Sequence, residues 1–480
     1  MAPVTQLFVP RVMQQQMIGF GTRRDRFQLL AKPGTGKTVS MLMILDIMSR
    51  VDDVFPALIV APLRVANSVW DSEITKWVQF NGLRVSKILG TAPQRLAALN
   101  VPADIYTIHY GLLQWLRSTL GDKWPFRTVV CDESTRIAAH RCTYQRHRTS
   151  GKIFFREAGA VNAAALMSYA RRTPYWANLT GSFTTNGLSR AWGQTYPIDF
   201  GRALGGSYSA FTDRWFRARP GTSREQEVLE PLPWALDAVT EAVKPFSISI
   251  DPKNYFDIRE LRIVDIPVTL PPAAMRQYRQ LRDKSLLELS NEKVITAANA
   301  GPRIVKLMSV SCGHVYDEDG RPWHLHDAKL DALDELVNRL NGSPILVCYQ
   351  FRPDRDAILK RFPFARTLPS READQKKTED EWNSGQIPML VVHPASCGHG
   401  LSLQHGGCDI VFYSTAINPE LYEQVIERLG PMRQMQSGYD RVVSVYRLLS
   451  TGTHDALAVD LIEGRITFGN ELMTLLKTDV

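Results

Sequence analysis

Short apolar runs recur along this chain at spacings that leave room for a helix between each pair. In the first 200 or so residues, "RFQLLA", "ALIVAPL", "ADIYTIH", "RTVVCDE" and "WANLTGS" read as buried strands separated by amphipathic stretches. Runs of this kind alternating with helical patterns predict a parallel sheet with helices on both faces. One such pattern, "VSMLMILDIMSR", follows the first run closely.

The pattern changes between about Ser207 and His326. Aromatic and charged residues mix in "SAFTDRWFRARPGTSREQEVLEPLP", and "PPAAMRQYRQLRDKSLLELS" predicts a helix opened by prolines. The stretch "HLHDAKLDALDELVNRLNGSP" predicts a further helix, closed by Asn-Gly and Pro. The alternation then resumes with "ILVCYQF", "PMLVVHP", "DIVFYST" and "VVSVYRLL", and the tail "DALAVDLIEGRITFGNELMTLLK" reads as helix. The expected organisation is an α/β unit over residues 1–205, a mostly helical connector over 206–325, and a second α/β unit with a C-terminal helix over 326–480. No internal repeat or low-complexity segment interrupts it.

Composition adds less than the pattern does. A chain of 480 residues with 44% hydrophobic content can build roughly two or three cores. Its net charge of +8 favours a polyanionic partner without requiring one. The six cysteines never form Cys-x-x-Cys, and although "SCGHVY" and "SCGHGL" each place His after Cys, neither has further ligands nearby. Reduced thiols and no metal cluster are expected. No run approaches the ~18 apolar residues of a membrane span, and no leader pattern opens the chain, so a cytosolic location is expected.

The chemistry concentrates after two of the predicted strands. "AKPGTGKT" lies between an apolar run and a helix, the setting in which glycines turn backbone amides onto phosphates and a helix N-terminus adds positive charge. Gly34, Thr35 and Gly36 would shape the cradle, Lys37 would reach the β- and γ-phosphates of ATP, and Thr38 would hold Mg2+. Ala31 stands where the pattern's first glycine would be. "TVVCDES" then places Asp132 and Glu133 at the carboxyl end of a strand, on the same sheet edge as the loop. Asp132 would bind Mg2+ through water, and Glu133 would orient or deprotonate the attacking water.

With these in hand, the whole series of blocks resembles a superfamily 2 helicase of the Swi/Snf-type branch, closest to its bacteriophage members. "VPRVMQQQMIGF" resembles the Q motif, "LIVAPLRVANSVWDSEITKW" motif Ia, "IYTIHYGLLQWL" the block after it, "VVCDEST" motif II and "NLTGSFTTNGL" motif III. "ILVCYQF", "HPASCGHGLSLQ" and "YEQVIERLGPMRQMQ" resemble motifs IV, V and VI, so the likeness spans roughly residues 8–455. It implies two RecA-like lobes facing each other, with ATP in the cleft and DNA across both. Gln14 would read the adenine, and Gly400 and Gln424 would complete the nucleotide contacts. Arg428 and Arg433 would reach the γ-phosphate, while Thr180 and Ser182 would couple the two sites. Nucleic-acid contacts carried over by motif are Arg64, Ser68, His109 and Tyr110 from the first lobe, with Gln350, Arg352 and Ser396 from the second. Tyr110 could equally pack under the sheet, and the aromatics of "RWFRARP" and "KPFSISI" could belong to the core.

Three departures from the family pattern stand out. Ser182 and Phe183 replace the expected residues of motif III; Ser414 and Ile417 replace the Asp and Trp that precede Asn418 and Pro419; Gly430 and Pro431 interrupt motif VI. Without a gap the second motif VI arginine falls on Pro431; with one it falls on Arg433, followed by Gln434 and Gln436. The resemblance implies an ATP-dependent helicase or translocase on DNA, with RNA a lesser possibility and replication or recombination proteins as partners. A duplex translocase that leaves strands paired and a nucleic-acid scaffold without hydrolysis are the alternatives. A small-molecule kinase has no use for the second unit, and a restriction motor would need a nuclease motif that is missing.

Overall fold

A computed structural model describes residues 6–32, 34–146, 153–181, 184, 187–218, 229–290, 297–317, 319–369, 371–397, 401–414 and 418–463. The chain divides into two compact units, Met1–Asp257 and Ile258–Val480. Among the described residues no helix is long and apolar enough to cross a membrane.

The first unit contains, in chain order, β1 (Arg26–Ala31), β2 (Ala57–Ala61), β3 (Val85–Lys87), β4 (Ile105–His109), β5 (Thr128–Asp132), the antiparallel pair β6 (His140–Arg146) and β7 (Ile153–Gly159), β8 (Tyr175–Thr180), the antiparallel pair β9 (Phe216–Ala218) and β10 (Leu229–Pro231), and β11 (Ser247–Ile250). Seven of these form a sheet in the order β11-β1-β8-β5-β2-β4-β3, with every pairing parallel. Each residue of β2, β5 and β8 is buried, which is why these strands appear in the sequence as continuous apolar runs. Leu58, Val60, Ile108, Val129 and Trp176 share one core cluster. Trp192, Phe211, Trp215 and Phe216 build another, so the aromatics of "RWFRARP" are core. "SISI" of "KPFSISI" is the edge strand beside β1, and Lys244 ahead of it pairs with Glu241.

The second unit contains β12 (Arg262–Val268), the antiparallel pair β13 (His314–Tyr316) and β14 (Pro322–His324), β15 (Ile345–Cys348), β16 (Arg366–Thr367), β17 (Met389–Val392), β18 (Asp409–Phe412) and β19 (Ser444–Ser450). Its six-stranded sheet runs β12-β19-β18-β15-β17-β16, again wholly parallel. The helices expected from "PPAAMRQ…" and "HDAKLDALDELVNRL" form over Pro272–Ser290 and Ala328–Arg339.

The segment 206–325, expected as one connector, is divided between the units: β11 extends the first sheet and β12 the second. Its helical content is real, but both strands escaped the hydrophobic pattern because edge strands bury little. In β12 six of seven residues are at least partly exposed. The second unit also encloses a charge pair. Lys329 Nζ lies 2.7 Å from Asp455 Oδ2 with neither side chain exposed. Asp455 further accepts from Ser311 Oγ at 3.0 Å and from the Ser450 amide at 2.8 Å, tying the end of β19 to two helices.

Candidate active site

The phosphate loop begins where β1 ends. Gly34 and Gly36 both take φ of +81°, a conformation that disfavours side chains, and Gly36 caps the helix Lys37–Met48. A Cβ on Gly36 would come within 2.2 Å of Gln14 Nε2, so a larger residue would also displace the Gln14 amide. Gln14, from the helix Val12–Gly21, accepts from the Arg11 amide at 2.8 Å and reaches the Thr35 carbonyl at 3.4 Å. Its amide thus braces the loop from behind. Thr35 is buried and donates to the Lys32 carbonyl at 2.7 Å. Lys37 Nζ spans the loop to the Ala31 carbonyl, and Thr38 opens the first turn of the helix.

β8 lies between β1 and β5 in the sheet, so the carboxylates sit two strands from the loop on the same edge. Asp132 is buried, which pushes its carboxyl pKa upward; the Lys37 charge and the Trp70 indole act against that shift. Trp70 Nε1 donates to Asp132 Oδ2 at 3.0 Å. Glu133 follows in the left-handed conformation, φ 58° and ψ 60°, one of three non-glycine residues among those described with positive φ. Backbone strain at a predicted catalytic carboxylate is a feature of functional turns. The set fits a nucleotide with its magnesium: an amide-lined turn that requires glycines, an ammonium near a buried carboxylate, and a second acid beside it. Thr180 ends β8 and is buried next to this edge, paired with Leu30; Ser182 lies outside the described residues.

The first unit's nucleic-acid candidates flank the same edge. Arg64 and Ser68 are half-buried around a π-helical turn, Val65–Val69, with Ser68 Oγ donating to the Arg64 carbonyl at 3.1 Å. His109 is half-buried and accepts from the Gly111 amide at 3.1 Å; burial, reinforced by Arg95, lowers its pKa. Tyr110 is buried. Its hydroxyl donates to the Asp132 carbonyl at 2.8 Å, with the Glu133 carbonyl sharing that proton at 3.3 Å, so it packs beneath the edge instead of facing outward.

In the second unit, Gly430 breaks the helix Pro419–Leu429 at ψ 159°, and Pro431 starts the short helix Pro431–Gln436. Arg428 and Arg433 meet across this break: Arg428 Nη1 donates to the Leu401 carbonyl at 3.1 Å, and Arg433 Nη1 to the same oxygen at 3.4 Å and to Ser402 Oγ at 3.2 Å. Burial pulls the Arg433 guanidinium down to about 10, and the charge of Arg428 adds to that. Gln424 is buried and donates to Glu420 Oε1 at 3.2 Å. Arg352 and Ser396 are exposed, Gln350 is half-buried, and Gly400 lies outside the described residues.

Ser414 stands where the family pattern has Asp. Its hydroxyl accepts from the Gln350 amide at 2.6 Å and donates to Asp354 Oδ2 at 2.9 Å, so a carboxylate is present there from a different element. Asp354 and the role of Trp70 carry no sequence signal of their own. Trp70 lies within motif Ia and Asp354 just after "ILVCYQF", but nothing in their local pattern indicates a partner about sixty residues away.

Residues 27–152 match the SNF2-related domain. "Putative protein p41" of Acyrthosiphon pisum secondary endosymbiont phage 1 is 37% identical over 474 residues, covering 98% of this chain and 99% of that protein. Among solved structures, the Sulfolobus solfataricus SWI2/SNF2 ATPase core in complex with dsDNA aligns over 98% of this chain and 95% of its own at 18% identity and a TM-score of 0.41. The Sulfolobus solfataricus SWI2/SNF2 ATPase core domain alone aligns over 97% and 90% at 16% identity and a TM-score of 0.40.

Proposed function

The chain belongs to the SNF2-related branch of superfamily 2, and on that premise we propose that it is a DNA-dependent ATPase that couples hydrolysis of ATP to movement along DNA. The observation that carries the chemistry is the meeting of Lys37, Asp132 and Glu133 at one edge of the first sheet, with Gly34, Gly36 and Glu133 all at positive φ.

In this reading the amides of residues 34–38 and the Lys37 ammonium hold the β- and γ-phosphates, and Thr38 with Asp132 holds the metal. Mg2+ held by Thr38 and Asp132 would supply positive charge to the phosphates. Glu133 takes the proton of the attacking water, from a turn whose backbone is left-handed at that residue. The family resemblance would give Arg428 and Arg433 the role of stabilising charge on the transferred group. Gln14 holds the loop and reads the base. Arg64, Ser68 and His109, with Gln350, Arg352 and Ser396, grip the DNA through its phosphates, since a motor must tolerate any sequence. Strand separation, annealing or remodelling is the output, in phage DNA replication or recombination in the host cytoplasm.

The test is ATP turnover with single-stranded, duplex and forked DNA and with RNA, followed by strand displacement on the fork. Stimulation by DNA above RNA is expected, with an affinity for DNA that weakens steeply as salt is added. A rate indifferent to every nucleic acid would refute a motor. Stimulation by duplex DNA without displacement would assign it to duplex translocation.

A further inference from the structure

Two buried side chains join the candidate nucleic-acid segments of the first unit to the Asp132–Glu133 turn, one through the Asp132 carboxylate and one through the backbone carbonyls. The segment after β2 carries Arg64 and Ser68 through a π-helical turn and then, at the start of the helix Trp70–Lys76, places Trp70 Nε1 on Asp132 Oδ2. The segment after β4 carries His109 and then Tyr110, whose hydroxyl reaches the carbonyls of Asp132 and Glu133. In the sheet, β2 separates β4 from β5, so the phenol crosses beneath the end of a strand to reach its acceptors.

These contacts are specific in where they land. The carbonyls of Asp132 and Glu133 flank a non-glycine residue whose backbone is left-handed, so the Tyr110 hydroxyl lies against both sides of the Glu133 φ and ψ. The indole fixes the orientation of the Asp132 carboxylate through Oδ2. Both donors are buried, so no solvent competes for their acceptors. The π-helical turn ahead of Trp70 is a rare form that is frequent at functional sites.

We propose that Tyr110 and Trp70 are positioning residues that transmit DNA engagement at the Arg64–Ser68 and His109 segments to Glu133 and Asp132. The inference rests on the DNA-dependent ATPase reading. DNA phosphates drawn against Arg64 or His109 shift the start of the segment, and the hydrogen bond at its end moves the carboxylate toward its working position. Tyr110 therefore acts on the water-activating side and Trp70 on the metal side.

The experiment measures turnover by Tyr110→Phe and Trp70→Phe, with and without saturating duplex DNA, beside DNA affinity by fluorescence anisotropy and a thermal melt. Tyr110→Phe deletes one hydroxyl and keeps the ring, so the fold is retained. The ratio of stimulated to basal turnover should fall about tenfold, which is what loss of one buried hydrogen bond can carry, while the dissociation constant for DNA changes less than about twofold. Trp70→Phe should lower the ratio in the same sense. If the ratio stays at the wild-type value in both variants, the residues are packing only and the proposal is overturned. If DNA affinity falls in step with turnover, Tyr110 touches DNA directly and the proposal is equally overturned. A wild-type enzyme that no DNA stimulates would refute the functional reading itself, an outcome distinct from either.

Discussion

Replacing Glu133 with glycine should make the first unit more stable and the enzyme nearly inert. Glu133 is held at φ 58° and ψ 60°. For a residue with a Cβ that conformation costs roughly 1–2 kcal/mol. Glycine removes this cost, but the freedom it adds to the unfolded chain returns about 0.5–1 kcal/mol. The net gain is on the order of 0.5–1 kcal/mol, or a rise of roughly 1–4 °C in the melting of a unit this size. Glu133→Gln keeps the Cβ and the strain, so it should melt near wild type. Both substitutions remove the basic oxygen, and turnover should drop about 10²–10⁴-fold in each while nucleotide binding persists. Calorimetry resolving the first unit's transition, beside ATPase and nucleotide-binding measurements on all three proteins, checks this. If Glu133→Gly melts at or below Glu133→Gln, the strain argument is wrong; if Glu133→Gln hydrolyses ATP like wild type, another group activates the water.

Lys37→Ala should lower turnover about 10²-fold or more by removing a donor aimed at developing charge. It forfeits a hydrogen bond to the Ala31 carbonyl and the charge that favours the buried Asp132 carboxylate, so a circular-dichroism melt should fall only modestly; a collapsed fold would mean the lysine is structural. Arg433→Ala should nearly abolish DNA-stimulated hydrolysis, by about 10³-fold, with ATP binding kept. Wild-type hydrolysis by that variant alongside an inactive Arg428→Ala would assign the role to Arg428 alone. A pH effect follows from the buried pair His314 and Asp354, whose Nδ1 and Oδ1 lie 3.3 Å apart. Burial pushes the Asp354 carboxyl up to about 7 and pulls the His314 imidazole down to about 4. A raised carboxyl loses stability as pH climbs from its unfolded 3.8 toward 7, whereas a depressed imidazole gains it between 4 and 6.5, so over that shared window the two cancel. Asp354→Asn leaves the imidazole alone, and the second unit should gain roughly 3 kcal/mol across the window in urea melts. A flat profile would show that His314 is not held neutral.

What the sequence determined by itself was whatever burial on both faces writes locally. The strands at Arg26, Ala57, Ile105, Thr128, Tyr175, Ile345, Met389, Asp409 and Ser444 match predicted apolar runs to within a residue, because a parallel strand under two layers of helix has no polar side to show. The phosphate loop and the Asp132–Glu133 pair were legible for a related reason: their chemistry needs particular residues in consecutive positions, each at the end of such a strand. Edge strands were not legible. Ser247–Ile250 and Arg262–Val268 bury too little to leave a pattern, and with them the true division of the connector was hidden. Only the tertiary structure could decide the contacts made between elements. Trp70 and Asp132 are 62 residues apart, and Ser414 and Asp354 are 60. Tyr110, which either reading suited in sequence, turned out to hold the backbone of the catalytic turn. Such pairings depend on strand order and on which crossover lies beside which. Those are properties of the assembled sheet, fixed by the packing of all its layers together, and no window along the chain contains them.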